Sequence, residues 1–411
     1  MSEARLPPRD KRGEVEIFLV AVEESGDRLG AALMRALRQR ASVPVRFAGV
    51  GGREMAAAGL DSLLPVQDFS VIGFTGIPAR LPRILRHLRL TVHAVLDRRP
   101  HVLVIIDSPA YTLWVARLVH RQAPAIPIID YVSPSVWAWR SKRAPAMRKY
   151  IAHVLALLPF EPVVHRKLGG PPCSYVGHPL IEEVSKLRPN EAEAQRRRSD
   201  PPIILAMPGS RSAEVRRLAG VFGEALALVQ ERVGTIEVVV PTVPHLLPQV
   251  EQATAGWPIK PRIMTDKAEI QRTFRTARAA LAKSGTTTLE LAVSGVPMVA
   301  GYIVSALEAM VIRRVVNVHS AVLANLVIGQ NVVPELLQEA CRPERLADAL
   351  VPLTGDTPER RRQIEAFSWL DTIMEIGSRA PAARAADIVL GYLRRPEARP
   401  EGGLAERAAN Q

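Results

Sequence analysis

Five stretches of this 411-residue sequence set polar, charged or glycine residues directly after a short apolar run, the place where strand-end loops carry chemistry. In Val22-Glu23-Glu24-Ser25-Gly26-Asp27, Ser25 or Asp27 suits a helix cap, and Gly26 lets a backbone come close to a ligand. Free N–H groups at such a helix start favour an anion, although any strand-to-helix loop needs a cap in any case. In Ile105-Ile106-Asp107-Ser108-Pro109, a carboxylate follows a buried strand, where partial desolvation suits a general base. Asp107 serves equally well as the N-cap of a helix over Tyr111–His120.

The run from Tyr131 to Arg140, YVSPSVWAWR, holds two of the chain's five tryptophans beside Arg140, Lys142, Arg143, Arg148 and Lys149. Ser133, Ser135, Trp137, Trp139 and Arg140 would make a rim that packs a substrate on aromatic faces and holds a phosphate with cations. The plainer reading makes the two tryptophans core and edge residues. Met207-Pro208-Gly209-Ser210-Arg211-Ser212 opens a helix with small residues and one arginine, which suits a diphosphate held by backbone N–H groups and a bidentate cation. It matches neither GxxxxGK[ST] nor GxGxxG, so the common mononucleotide and dinucleotide loops lose support. Ser284-Gly285-Thr286-Thr287-Thr288-Leu289-Glu290 offers hydroxyls and amides to a phosphate, with Glu290 either accepting from sugar hydroxyls or closing a capping box. His178, between Gly177 and Pro179, fits a structural or a functional role equally.

These loops need strands to hold them. Candidate strands are EIFLV, VRFAGV, HVLVIID, IPIIDYV, HVLALLP and CSYVG, then PIILAMPG, TIEVVVP, ARAALAKSG and PMVAGY. Continuous apolar runs, each followed by a helix-like stretch, mark parallel strands buried on both faces. The pattern predicts an α/β protein with two Rossmann-like, doubly wound domains facing a cleft, followed by C-terminal helices. The boundaries expected are a tail over 1–13, a first domain over 14–184, a charged linker over 185–201, a second domain over 202–350, helices over 351–397 and a disordered tail over 398–411.

Two cysteines build no disulfide framework, and no cysteine–histidine cluster suggests a zinc site. The N-terminal residues lack the apolar segment of a signal peptide, and no apolar run reaches the 18 residues of a membrane span. A net charge of +13, greater in the half up to Val184, calls for an anionic partner. Aromatics at 5% are too sparse for a base-stacking protein. On a helical wheel Leu81, Ile84, Leu85, Leu88, Val92 and Val95 share one face, opposite Arg80, Arg83, Arg86 and Arg89. Such a helix either docks on anionic headgroups or covers a sheet with its basic face in water.

Taken in order, ESGDRLG, GVGGREM, YVSPSVWAWR, LALLPFEP, VGHPL, PGSR, SGTTTLE, GVPMV and VPELLQE resemble the lipid-A-disaccharide synthases, inverting glycosyltransferases of Gram-negative bacteria, over about residues 17–350. The resemblance implies the glycosyltransferase-B fold, with the acceptor and lipid on the first domain and the UDP-sugar donor on the second. The implied substrates are UDP-2,3-diacylglucosamine and 2,3-diacylglucosamine 1-phosphate, and the products are a β-1,6-linked disaccharide 1-phosphate and UDP. Work at the cytoplasmic face of the inner membrane, on an anionic surface, follows from amphiphilic substrates. A homodimer is compatible with the resemblance; a nucleic-acid partner and a cofactor are not implied.

Asp107 matches the family's IDxP aspartate and is the expected base or essential acceptor-site carboxylate, with Asp27 in reserve. Ser25 and Gly26 fall with the acceptor site. Gly209, Ser210 and Arg211 would steady the departing UDP, while Ser284 to Thr288, Glu290 and Asn325 would hold the nucleotide. No Asp-x-Asp occurs, so metal independence is expected. The sequence departs from the family at Val22 (glycine of GExSGD), Ala110, Ile303, Ala324 (proline of LPNL) and Gln330-Asn331 (an Arg-Glu pair). The competing readings are another UDP-sugar transferase or a UDP-N-acetylglucosamine 2-epimerase-like enzyme with a soluble substrate, and a non-catalytic anion- or nucleic-acid-binding module. The first predicts no detergent dependence, the second salt-sensitive binding without UDP release.

Overall fold

The computed structural model describes residues 13–64, 77–305, 308–310, 318 and 320–393. Residues 1–12 and the expected tail over 398–411 lie outside the described residues.

Among the described residues the first domain is built on seven strands: β1 (Val15–Ala21), β2 (Val45–Val50), β3 (Asp61–Ser62), β4 (Val102–Ile106), β5 (Ile128–Tyr131), β6 (His153–Ala156) and β7 (Cys173–Tyr175). They pair in parallel in the order β3-β2-β1-β4-β5-β6-β7. The second domain has six: β8 (Ile203–Met207), β9 (Glu237–Pro241), β10 (Arg262–Met264), β11 (Ala279–Lys283), β12 (Met298–Tyr302) and β13 (Glu335–Leu337), ordered β10-β9-β8-β11-β12-β13 and again parallel. All ten strands expected from the sequence form. The three others are edge strands of two or three residues, too short to leave an apolar run.

Burial on both faces is visible residue by residue. Along β4, Val102, Val104 and Ile106 enter one core while Leu103 and Ile105 enter the core on the other side of the sheet. In β8, Ile203 and Leu205 face one core, Ile204 and Ala206 the other. Each of the valine, leucine and isoleucine side chains contributes about 1.5–3 kcal/mol by leaving water. The sheets are therefore rigid platforms for the loops at their C-terminal ends.

Where the chain changes domain differs from the expected linker. Leu180, Val184 and Leu187, spaced so that they share one helix face, sit in the second domain's core with Leu289 and Val293. The helices Leu180–Leu187 and Glu191–Arg198 thus pack on the second domain, the latter tied by Arg275 to Glu193 at 2.8 Å. The switch falls at Val176 to Pro179 instead of after Val184. The chain also returns: the last described helix, Pro381–Leu393, buries Ala385, Ala386, Val389 and Leu390 in the first domain's core. Arg40 clamps its Asp387 at 2.6 Å. Among the described residues the chain passes between the domains twice.

Candidate active site in the interdomain cleft

Asp107 caps no helix. The following helix, Thr112–Gln122, begins from Tyr111, and Asp107 instead turns the chain sharply at the end of β4. Asp107 and Ser108 take φ of +55° and +46°, a strained pair at a cost of about 1–3 kcal/mol each. Asp107 Oδ1 accepts from the Ser108 N–H at 2.7 Å, and Oδ2 accepts from the Ser25 hydroxyl at 3.0 Å. The carboxylate is half-buried just past the C-terminal end of β4.

The neighbours of Ser25 are spent elsewhere. Asp27 is buried and accepts from the backbone N–H of Gly52 at 2.7 Å, Glu54 at 2.8 Å and Met55 at 3.0 Å, so it caps the helix Arg53–Ala57. That removes it as a reserve base: its oxygens hold another helix's N-terminus. At Gly26 a Cβ would stand 3.3 Å from the Ile106 carbonyl oxygen. The glycine therefore serves the approach of the helix Glu24–Arg40 to β4 and not that of a ligand.

Sequence reading passed over Asp130, the lone charge within the IPIIDYV run. It lies next to β4's end on β5, fully buried, with one oxygen lacking any hydrogen bond. Burial, reinforced by the negative charges of Asp107 and Glu161 and opposed by the positive charge of Arg143, pushes its carboxyl well above its ordinary value.

The Tyr131–Arg140 run divides. Ser133 is buried and hydrogen-bonded to His165 Nε2 at 2.9 Å; Ser135 is exposed at the cleft. Trp137 donates its indole N–H to Glu161 at 3.2 Å and meets Phe160 edge to face at 5.5 Å between ring centroids. Glu161 also accepts from the Leu158 N–H at 2.9 Å, and burial pushes its carboxyl up to about 7. Trp139 stays exposed with the Arg140 guanidinium 4.3 Å above its ring. Trp137 belongs to the site wall, whereas Trp139 and Arg140 form a surface pair beside it.

Across the cleft, Gly209 takes φ +126° and leads into the helix Ser212–Val233. The expected diphosphate cradle already holds a carboxylate. Glu214 accepts from the Ser210 N–H at 3.1 Å and the Arg211 N–H at 3.3 Å, and a Cβ on Gly209 would fall 2.4 Å from it. Arg211 and Lys283 each lie 3.1 Å from Glu214's other oxygen. Burial raises the Glu214 carboxyl, but the Lys283 and Arg211 charges outweigh it and hold it below its ordinary value. Lys283, also 5.1 Å from the centre of the Tyr302 ring, is a second cation that the sequence hid inside a strand.

In the next loop, Ser284 donates to the Ala321 carbonyl and Thr288 to that of Gly285 at 2.7 Å; both are buried. Gly285 and Thr286 face the cleft, and Thr287 opens the helix Thr287–Val293 half-buried. Glu290 closes no capping box; burial and the nearby Glu183 raise its carboxyl. Asn325 is fully buried, and its amide is used by Val332, Val333 and Glu335. It braces the loop behind the site instead of facing a nucleotide.

Between the domains lies a cavity of about 640 Å³, lined by Ser133, Ser135, Trp137, Glu161 and His178 from the first and by Gly285, Thr286 and Tyr302 from the second. Its size and mixed apolar and polar wall fit a small-molecule site. Among the described residues, no three His, Cys, Asp or Glu side chains converge to hold a metal ion.

Two parallel sheets of seven and six strands, flanked by helices and sharing a cleft, define the glycosyltransferase-B class of fold. The calicheamicin glycosyltransferase CalG4 superposes at a TM-score of 0.56, covering 93% of this chain and 99% of that one at 19% identity. A UDP-GlcNAc 2-epimerase from Methanocaldococcus jannaschii, solved with UDP-GlcNAc and UDP, reaches 0.55 over 92% and 99% at 12% identity. At those identities the likeness is one of fold alone. The chain belongs to the lipid-A-disaccharide synthetase family, whose sequence model matches residues 17–386. The lipid-A-disaccharide synthase of Nitrobacter winogradskyi is 55% identical over 384 residues, 93% of this chain and 97% of that protein. That of Bradyrhizobium diazoefficiens is 55% identical over 395 residues, 96% and 99%.

Proposed function

We propose that the protein transfers diacylglucosamine from UDP-2,3-diacylglucosamine to a hydroxyl of 2,3-diacylglucosamine 1-phosphate, giving the β-1,6-linked disaccharide 1-phosphate and UDP. The observation that carries this reading is the family match over nearly the whole chain; the half-buried Asp107 carboxylate after β4, oriented by Ser25, is the group we assign as base. Asp107 takes the acceptor hydroxyl's proton as that oxygen bonds to the sugar carbon. The bond from carbon to the diphosphate breaks, and its electron pair leaves on UDP. Arg211 and Lys283 neutralise the charge that grows there. Two cations and a helix start do the work a metal would do, so turnover needs none. The departures at Val22, Ala110, Ile303, Gln330 and Asn331 bear on which sugar and acyl chains fit. The test is incubation of both substrates in detergent with EDTA, following UDP and disaccharide by mass spectrometry. Formation of both supports the reading; UDP binding without disaccharide overturns it.

The same reading places the protein on an anionic membrane surface at the cytoplasmic face. No described helix is long and apolar enough to cross a membrane. The helix Ile77–Arg98 buries Leu88, Val92 and Val95 against the sheet, but Leu81 and Leu90 are 48% and 45% exposed. Trp114, on the adjoining helix, is 57% exposed. Apolar side chains held out of the protein beside exposed Arg86 and Arg89 suit a headgroup layer. Replacing Leu81 and Trp114 together by serine should lower co-sedimentation with phosphatidylglycerol vesicles severalfold while leaving activity in detergent unchanged. Equal vesicle binding by the variant would remove this surface from consideration.

A further inference from the structure

The turn that takes the chain from the first domain to the second carries a histidine whose two ring nitrogens are fixed in different roles. Gly177 before it has φ +103°, and a Cβ there would meet Pro381 at 3.0 Å and Ile181 at 3.2 Å, so the turn has one shape. His178 Nδ1 accepts from the Leu180 N–H at 3.1 Å. A nitrogen that accepts carries no proton, so the neutral ring holds its proton on Nε2. Burial keeps the ring neutral, with its pKa pushed down to about 4. Nε2 has no hydrogen-bond partner among the described residues. The ring is surrounded by protein yet keeps accessible surface, because it lines the interdomain cavity.

The rest of that wall is largely apolar, including Leu157, Leu158, Val304, Leu323, Leu326 and Leu337. Much of its polar complement is committed: Glu161 to Trp137 and Leu158, Ser133 to His165, Gln338 to Val304. A sugar ring or a base needs several free donors and acceptors. An acyl chain needs apolar contact along its length and one donor at its carbonyl.

We propose that this cavity receives an acyl chain of the donor sugar and that His178 donates its Nε2–H to the carbonyl oxygen joining that chain to the sugar. The assignment to the donor follows from Gly285, Thr286 and Tyr302, which bring the second domain to the same wall. It rests on the diacylglucosamine reading above.

Two substitutions separate the turn from the donor. In His178→Asn the side-chain oxygen still reaches the Leu180 N–H, but nothing reaches the Nε2 position. In His178→Gln the amide N–H reaches it. With the acylated donor, His178→Asn should raise KM about tenfold, a loss of about 1.4 kcal/mol, with kcat little changed. His178→Gln should recover most of it. Leu326→Trp, which fills part of the cavity, should raise KM for a long-chain donor and not for a short-chain one. Turnover by the unaltered protein is measured first, since its absence overturns the proposed function itself. With turnover present, the acyl site is overturned if His178→Asn penalises acylated and deacylated donors equally, or if the Leu326→Trp penalty is independent of donor chain length or follows the acceptor's chain. Should His178→Asn melt early, the chain-length series on Leu326→Trp and the His178→Gln kinetics decide alone.

Discussion

Asp107→Asn should cut kcat by about 10²–10⁴, the range a positioned general base supplies, while KM for the UDP-sugar and the melting temperature stay near those of the parent. Asparagine is the informative replacement because it keeps the geometry and removes the basicity. Its amide oxygen can accept from the Ser108 N–H, its N–H₂ can reach Ser25, and asparagine tolerates the positive φ that alanine resists. Loss of turnover in a folded Asn variant therefore reports the missing base and not a collapsed turn. Ser25→Ala, which deletes only the hydroxyl that orients the carboxylate, should cost far less. Asp130→Asn gives the opposite control: it replaces a buried carboxyl, whose pKa burial raises, by an amide of equal size beside the same strand end. A kcat for Asp107→Asn equal to that of the parent would sink the base assignment.

The sequence exposes what depends on neighbours in the chain and conceals what depends on distant ones. The strands buried on both faces are legible because that burial demands unbroken apolar runs, whereas the edge pieces β3, β10 and β13 bury too little to leave that mark. Asp107 can be found because its position after β4 is a local fact. Asp27 sits in an equally inviting loop, but its partners lie at Gly52 to Met55, and only the packing of two helices reveals them. Asn325 likewise looks like a ligand contact until Val333 and Glu335 come round to meet it. The change of domain at Val176 to Pro179 could have been read: Leu180, Val184 and Leu187 form an apolar face that a solvated linker would not keep. Lys283 could not. It comes to face Glu214 only because β11 pairs with β8, which sets Ala282 beside Met207.

That pairing carries the second large effect. Arg211→Ala should lower kcat by about 10²–10³, as expected on losing a charge aimed at a departing diphosphate, and Lys283→Met should follow it with a smaller loss. The two are unequal because Arg211 is 77% exposed and free to swing onto a ligand, whereas Lys283 is 18% exposed and held between Glu214 and Tyr302. Glu214 now occupies the amides that the diphosphate would use, so ligand and carboxylate compete for the same donors and cations. Glu214→Gln tests that competition. Its amide oxygen can still accept from the Ser210 and Arg211 N–H groups, so the helix start stays satisfied, but the negative charge is gone. UDP should then bind more tightly, and product inhibition should set in at lower UDP, while the melting temperature falls because Lys283 and Arg211 are left facing each other. Weaker UDP binding by Glu214→Gln would mean that the carboxylate orients the cations for the diphosphate and does not compete with it. Arg211 would then act as one half of a preset ion pair, and Lys283→Met would be expected to cost as much as Arg211→Ala.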